Sequence, residues 1–140
     1  MTDLDALPAL LARVEEATGP DRELDAAIFC LLCCNPENTD ADLMDLINAG
    51  RYSDVIWKMV GSGAGWAAFP PLFTSSLDAT VALVETKGLI WLRKHPMIMT
   101  VYRPLIDDGA WAVHYDASAA TPSLALLAAL LRSMIEEEGK

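Results

Sequence analysis

From Pro122 to Leu131 the chain carries no charged side chain, and its leucines and alanines fall on more than one side of a helix. Thr121 suits an N-cap and Pro122 a first helical residue, so a closing helix opens there. Leu124, Leu127, Leu131, Met134 and Ile135 form its main apolar face, Arg132 lies late in it, and Glu136 to Glu138 form a frayed end. Apolar surface in surplus of one face is often buried against another subunit, so the stretch from Leu124 to Leu131 makes a homo-oligomer an expectation.

Upstream, Leu4, Leu7, Leu10, Leu11 and Val14 recur at helical spacing and predict an amphipathic helix over about residues 3–18, ended by Gly19. Pro20, read as a first helical residue, opens a second helix with Leu24, Ala27, Ile28, Leu31 and Leu32 on its apolar side. Thr39 or Asp40 caps a short third helix that stops at Gly50. Val55 to Val60 alternates and reads as a strand, paired through Gly61-Ser62-Gly63-Ala64-Gly65 with Trp66 to Phe69 as a hairpin. Ser75 to Asp78 opens a helix reaching Glu85, and extended pieces at Leu89–Lys94, Met97–Arg103 and Ala110–Tyr115 form a meander. The fold class expected is α+β, one domain over residues 1–140, built as an α-β-α sandwich with a mainly antiparallel sheet of about five strands flanked by helices.

A chain of 140 residues is long enough to bury one core without disulfides or metals, and its 53% hydrophobic content is mostly aliphatic. The apolar run from Ala26 to Cys34 is far short of the roughly 20 residues that cross a bilayer, and Met1 to Asp5 has no export-type pattern, so a cytoplasmic protein is expected. Residues 1–45 hold 11 acids and 2 bases, residues 46–106 hold 3 and 6, and residues 107–140 hold 6 and 2, for a net charge of −10. That field disfavours direct binding to nucleic acid or to anionic membranes.

Three segments stand out: Ala17-Thr18-Gly19-Pro20-Asp21-Arg22-Glu23-Leu24-Asp25-Ala26-Ala27-Ile28, Pro71-Leu72-Phe73-Thr74-Ser75-Ser76-Leu77-Asp78-Ala79-Thr80, and Ala119-Ala120-Thr121-Pro122-Ser123-Leu124-Ala125-Leu126. In order and wording they resemble the phage ABA sandwich domain proteins, small proteins of phages and prophages. The resemblance implies an α-β-α layered fold and a family of unestablished biochemical role, and it brings no catalytic residues. The chain departs from it at residues 35–69 and at Thr86-Lys87-Gly88.

Several groups invite chemistry. Cys30, Cys33 and Cys34 would share one side of a helix, but His95 and His114 lie far off in sequence, and cysteine packs as a small apolar side chain; no metal or cofactor is expected. Cys34 with His114 and Asp116 makes a thiol triad only through an assumed contact. The Gly61 to Gly65 turn lacks the lysine of a phosphate loop. Asp40, Asp42 and Asp45 read as a solvated helix face, with a phosphate-mimicking array or a cation as the other reading. Lys87, Arg93, Lys94 and Arg103, near Trp91 and Tyr102, form the one basic and aromatic concentration, where an anionic small molecule could bind, although strand alternation separates Arg93 from Lys94. No catalytic set emerges. The leading reading is a non-enzymatic phage or prophage accessory protein that binds a host or phage protein or fills a structural role; the alternative is a small-molecule (anionic ligand) binding module.

Overall fold

The computed structural model describes residues 6–60, 69, 71–95, 98–104 and 111–138. Among these are six helices, α1 (Ala6–Glu16), α2 (Arg22–Cys33), α3 (Ala41–Asn48), α4 (Tyr52–Val60), α5 (Leu77–Thr86) and α6 (Pro122–Glu138), and three strands, β1 (Ile90–His95), β2 (Ile98–Pro104) and β3 (Trp111–Ser118). The strands form an antiparallel meander in the order β1-β2-β3, with Trp91 opposite Val101 and Val101 opposite Tyr115. The meander expected from the sequence is present, and β3 runs on to Ser118.

The five-stranded sandwich is not. A layered fold with a large central sheet, expected both from the element order and from the family resemblance, is replaced by a helix-rich α+β arrangement with a three-stranded sheet. Val55 to Val60, read as a strand, belongs to α4. The reason is periodicity: Val55 and Ile56 are adjacent and both fully buried, with Tyr52 half-buried one turn earlier. Adjacent residues cannot share one face of a strand, whereas positions i, i+3 and i+4 share a helix face. The 3.6-residue pattern overrides β propensity. The proposed partner strand, Trp66 to Phe69, lies outside the described residues except for Phe69, whose ring meets Phe29 edge-on at 4.7 Å.

At the centre lies α6. Every residue from Ser123 to Leu131 is buried, the leucines and alanines completely. The sheet covers one side through β2 and β3, and α1 and α5 cover others. From this centre the fold builds outward, α2 packing on α1, α4 on α2, and α3 on α4. The apolar surplus of the closing helix is therefore taken up within the chain, which removes the ground on which the sequence suggested a second copy. Met99, Val101 and Ala117 alternate inward on the strands and are buried. Behind them, Thr100 is buried too, and its hydroxyl donates to the Asp116 carboxylate at 2.7 Å.

Three helix starts share one device. Asp21 accepts from the Leu24 N–H at 3.1 Å, Ser76 from the Ala79 N–H at 3.2 Å, and Thr121 from the Leu124 N–H at 3.2 Å. Each N-cap satisfies one orphan donor of its first turn. Asp21 is the cap of α2, so Pro20 precedes the cap and is not the first helical residue. Two helix ends also share a device. Gly50 (φ +77°) and Gly88 (φ +75°) donate to Ile47 and Glu85, while the next residues, Arg51 and Leu89, donate back to Leu46 and Val84. These are Schellman closures, which need a positive φ and hence glycine.

Because Leu127 is enclosed on every side, Leu127→Ala should cost about 2–5 kcal/mol in urea unfolding, through lost transfer energy and a cavity. Leu72→Ala, at a residue 44% exposed, should change stability by less than about 0.5 kcal/mol. Equal costs would contradict the central position of α6.

Candidate functional site

The basic and aromatic residues singled out in the sequence occupy separate positions. Lys87 caps the C-terminus of α5, and its ammonium donates to the Leu32 carbonyl in the last turn of α2. A lysine there satisfies an orphan carbonyl and complements the negative end of the helix dipole. Trp91 is half-buried against the core, and Arg93, two residues along β1, is exposed opposite Met99. Tyr102 pairs with Ile90 and His114, and alternation places it on the opposite face of the sheet from Val101. Lys94 lies in β1 and Arg103 in β2 opposite Val113, their side chains being outside the described residues. Trp91 and Arg93 thus share a face, while Tyr102 and Lys87 are placed elsewhere.

The two most conspicuous sequence segments meet at a buried polar junction. Asp25 is 1% exposed. Its carboxylate pairs with the Arg22 guanidinium at 2.8 Å and accepts from the Thr74 N–H at 2.8 Å. Thr74, equally buried, accepts from the Asp21 N–H at 2.8 Å and donates to the Asp21 carbonyl at 3.3 Å. Thr80 donates to the Phe73 carbonyl at 2.8 Å and fixes the same turn. The start of α2 and the turn before α5, about fifty residues apart, are held together by these bonds. Sequence reasoning recognised both segments without joining them. The signal available was a pair of helix starts rich in Asp, Thr and Ser, and such residues serve caps and one another equally well.

The cysteines fall at the end of α2. Cys30 is buried, its thiol 3.9 Å from the Tyr52 carbonyl, and its pKa is pushed from 9.0 up to about 12 by burial first and then by Cys34 and Cys33. Burial also raises Cys33, against the pull of the Lys87 ammonium, and raises Cys34, against a hydrogen bond with Thr39. Thiols held protonated are poor nucleophiles and poor metal ligands. Among the described residues no group of three or more His, Cys, Asp and Glu side chains has the arrangement of a metal site. Asp116, drawn into a hypothetical triad, is engaged by Thr100, and the His114 side chain lies outside the described residues.

The packed pair α3 and α4 carries both exposed apolar and exposed acidic side chains. In α3 only Ile47 is buried; Leu43, Met44 and Leu46 are half-buried, and Asp42 and Asp45 are exposed. In α4 Val55 and Ile56 face inward while Trp57 is 55% and Met59 46% exposed. From residue 35 to residue 60 there are five acids, Glu37, Asp40, Asp42, Asp45 and Asp54, against two bases, Arg51 and Lys58. Arg51 is already paired with Asp54 at 2.6 Å. A tryptophan more than half exposed on an acidic two-helix unit was not anticipated, because Trp57 had been assigned to a strand.

Among the described residues no helix is long and apolar enough to cross a membrane. No protein-family model, no curated protein and no solved structure matches the chain.

Two outcomes follow from the junction and the thiols. Asp25→Ala should destabilise by about 2–4 kcal/mol, because it leaves the Thr74 N–H without its acceptor and removes the buried carboxylate that pairs with Arg22. Thermal or urea unfolding measures this. Between 9.0 and about 12 the folded Cys30 keeps a proton that the unfolded chain releases. Stability should therefore fall as pH rises through that window, and Cys30→Ala should flatten the fall. A wild-type slope unchanged by this substitution would show that Cys30 does not cause it.

Proposed function

We propose that this protein acts by binding another protein, as an accessory factor of a phage or prophage, and that α3 and α4 present the contact surface. The observation that carries the reading is Trp57, 55% exposed on α4, which packs against the acidic helix α3. Tryptophan is the side chain most enriched among residues that dominate protein interfaces, since one large rigid ring excludes water over a wide area. The carboxylates of α3 supply the complementary charge for a partner rich in lysine and arginine, and a net charge of −10 steers such a partner from a distance. The occupant is therefore a basic amphipathic segment of another protein. The phage assignment rests on the three segments that resemble the phage ABA sandwich domain proteins. Three thiols without disulfide partners suit the reducing cytoplasm, where we place the protein.

The test uses two short labelled peptides that form amphipathic helices, one of Lys and Leu and one of Glu and Leu, followed by fluorescence anisotropy. The Lys/Leu peptide should bind and lose at least about tenfold in affinity between about 50 and 300 mM salt. Trp57→Ser should weaken it by at least about tenfold, about 1.4 kcal/mol, without lowering the thermal midpoint. Equal binding of both peptides, or binding indifferent to Trp57→Ser, would overturn the proposal. Concentration-dependent sedimentation of the protein alone, abolished by the same substitution, would assign the surface to a second copy instead.

A further inference from the structure

Where α1 and α2 lie side by side, Ala6, Ala9 and Ala27 present only methyl groups, and the helices leave a cleft of about 90 Å³ floored by Leu10 and Leu31. Larger side chains at these positions would have closed it. At its rim stand Arg13 and Tyr52, and the same two side chains line a second cleft of about 200 Å³ that continues towards the start of α4. That second space is polar, bounded by Arg51, Ser53 and Asp54 on one side and by Glu23 on the other. Arg13 and Tyr52 thus stand between an apolar recess and a polar antechamber. Ligand sites for small molecules have this composition, a mostly apolar body with a few placed polar groups that fix orientation.

Charge narrows the ligand. In the first 45 residues the only bases are Arg13 and Arg22, and Arg22 is held by Asp25. Arg13 forms no ion pair with another described residue, although that part of the chain carries 11 acids. Across the antechamber Arg51 is oriented by Asp54 at 2.6 Å, so a second guanidinium is held in place. Glu23 and Asp54 balance the two arginines overall, which disfavours a polyphosphate or other polyanion and leaves a single carboxylate as the better match for Arg13. The guanidinium fork matches a carboxylate in geometry as well as charge.

We propose that this paired cleft binds a small monocarboxylic acid, its carboxylate against Arg13 and its short aliphatic or aromatic body in the recess between α1 and α2. The site is distinct from the Trp57 surface, and neither depends on the other. It also replaces, as the place for an anionic ligand, the dispersed basic residues of the β1–β2 region.

The test is amide NMR with sodium hexanoate as the probe, and acetate and hexanol as the head-only and tail-only controls. Hexanoate should produce saturable shifts at Ala6, Ala9, Leu31 and Tyr52, and bind at least about fivefold more tightly than either control. Arg13→Gln, at an exposed position, should weaken hexanoate at least about fivefold while leaving the weak binding of hexanol unchanged. Ala9→Leu, also at an exposed position, should fill the recess and abolish both. Thermal midpoints of the two variants establish that they are folded. Shifts scattered over the surface, acetate as effective as hexanoate, or hexanoate binding that survives both substitutions would each overturn the proposal.

Discussion

A helix without a polar face for nine consecutive residues must be enclosed on every side, and the arrangement of this protein follows from that requirement. From Ser123 to Leu131 every residue of α6 is buried, and from Leu124 onward completely. A broad sheet can cover only one side of such a helix, and the remaining sides need helices. Three short strands suffice for the first task, and α1 and α5 perform the second. Ala125, Ala128 and Ala129, all fully buried, allow those neighbours close approach, while Leu124, Leu126, Leu127, Leu130 and Leu131 supply the apolar volume. Two hydroxyls that flank this stretch make hydrogen bonds. Ser133 donates to the Leu130 carbonyl at 2.7 Å within the helix, and Thr121 caps its start. Arg132 escapes at the edge, where it reaches both the Asp116 carbonyl and the Glu15 carboxylate and links α1, β3 and α6 at the surface. Being more than a third exposed on both sides, that ion pair contributes little beyond orientation.

The polar junction between Asp21, Asp25 and Thr74 is a second constraint, of a different kind. Hydrophobic burial is non-directional and would tolerate several placements of α2 against the turn before α5. Hydrogen bonds to a buried carboxylate are directional, and a misplaced Asp25 would face the full desolvation penalty without its Arg22 and Thr74 donors. The junction thus selects one register among packings that the core alone would accept. It also explains why these segments stand out in the sequence. Their Asp, Thr and Ser residues serve caps and cross-links. Among the described residues the large central sheet expected from the sequence is replaced by three strands.

Much of the local structure was legible. The amphipathic spacing of Leu7, Leu10 and Val14, the capping of α5 by Ser76 and the opening of α6 at Thr121-Pro122 all belong to patterns that a chain reveals over one or two turns. The meander was legible too, since alternation and the breaks around His95 and Asp107 act locally. α4 was not, because Val55 to Val60 satisfies a strand pattern and a helix pattern at once; what decides between them is that Val55 and Ile56 are both buried in a helix that packs on α2, which is a tertiary fact. The destiny of the apolar surplus in α6 was hidden for the same reason. A sequence shows how much apolar surface a helix carries, and the fold alone shows whether its own chain or another one covers it. Likewise Lys87, conspicuous as one of few bases, turns out to close the end of α2. Arg13, which no motif marked, stands where two clefts meet.

The distribution of burial then separates a part of the molecule that is tightly specified from a part that is free to vary. In α2 eight of twelve residues are buried, while α3 buries one of eight. α3 packs on α4, which itself packs on α2, so the pair lies furthest from the central helix along the chain of contacts. Fewer buried contacts mean a lower cost for local rearrangement and for substitution. The exposed tryptophan and the exposed acidic charge of Asp42 and Asp45 lie on this outer pair, and the arginine-lined clefts lie where it meets α1 and α2. Changes in Trp57, Asp42 or Asp45 touch nothing that holds the core, whereas a change in Asp25 or Leu127 touches all of it. Function in this protein is therefore best sought along α3, α4 and the cleft beside them, where recognition can change without loss of the fold.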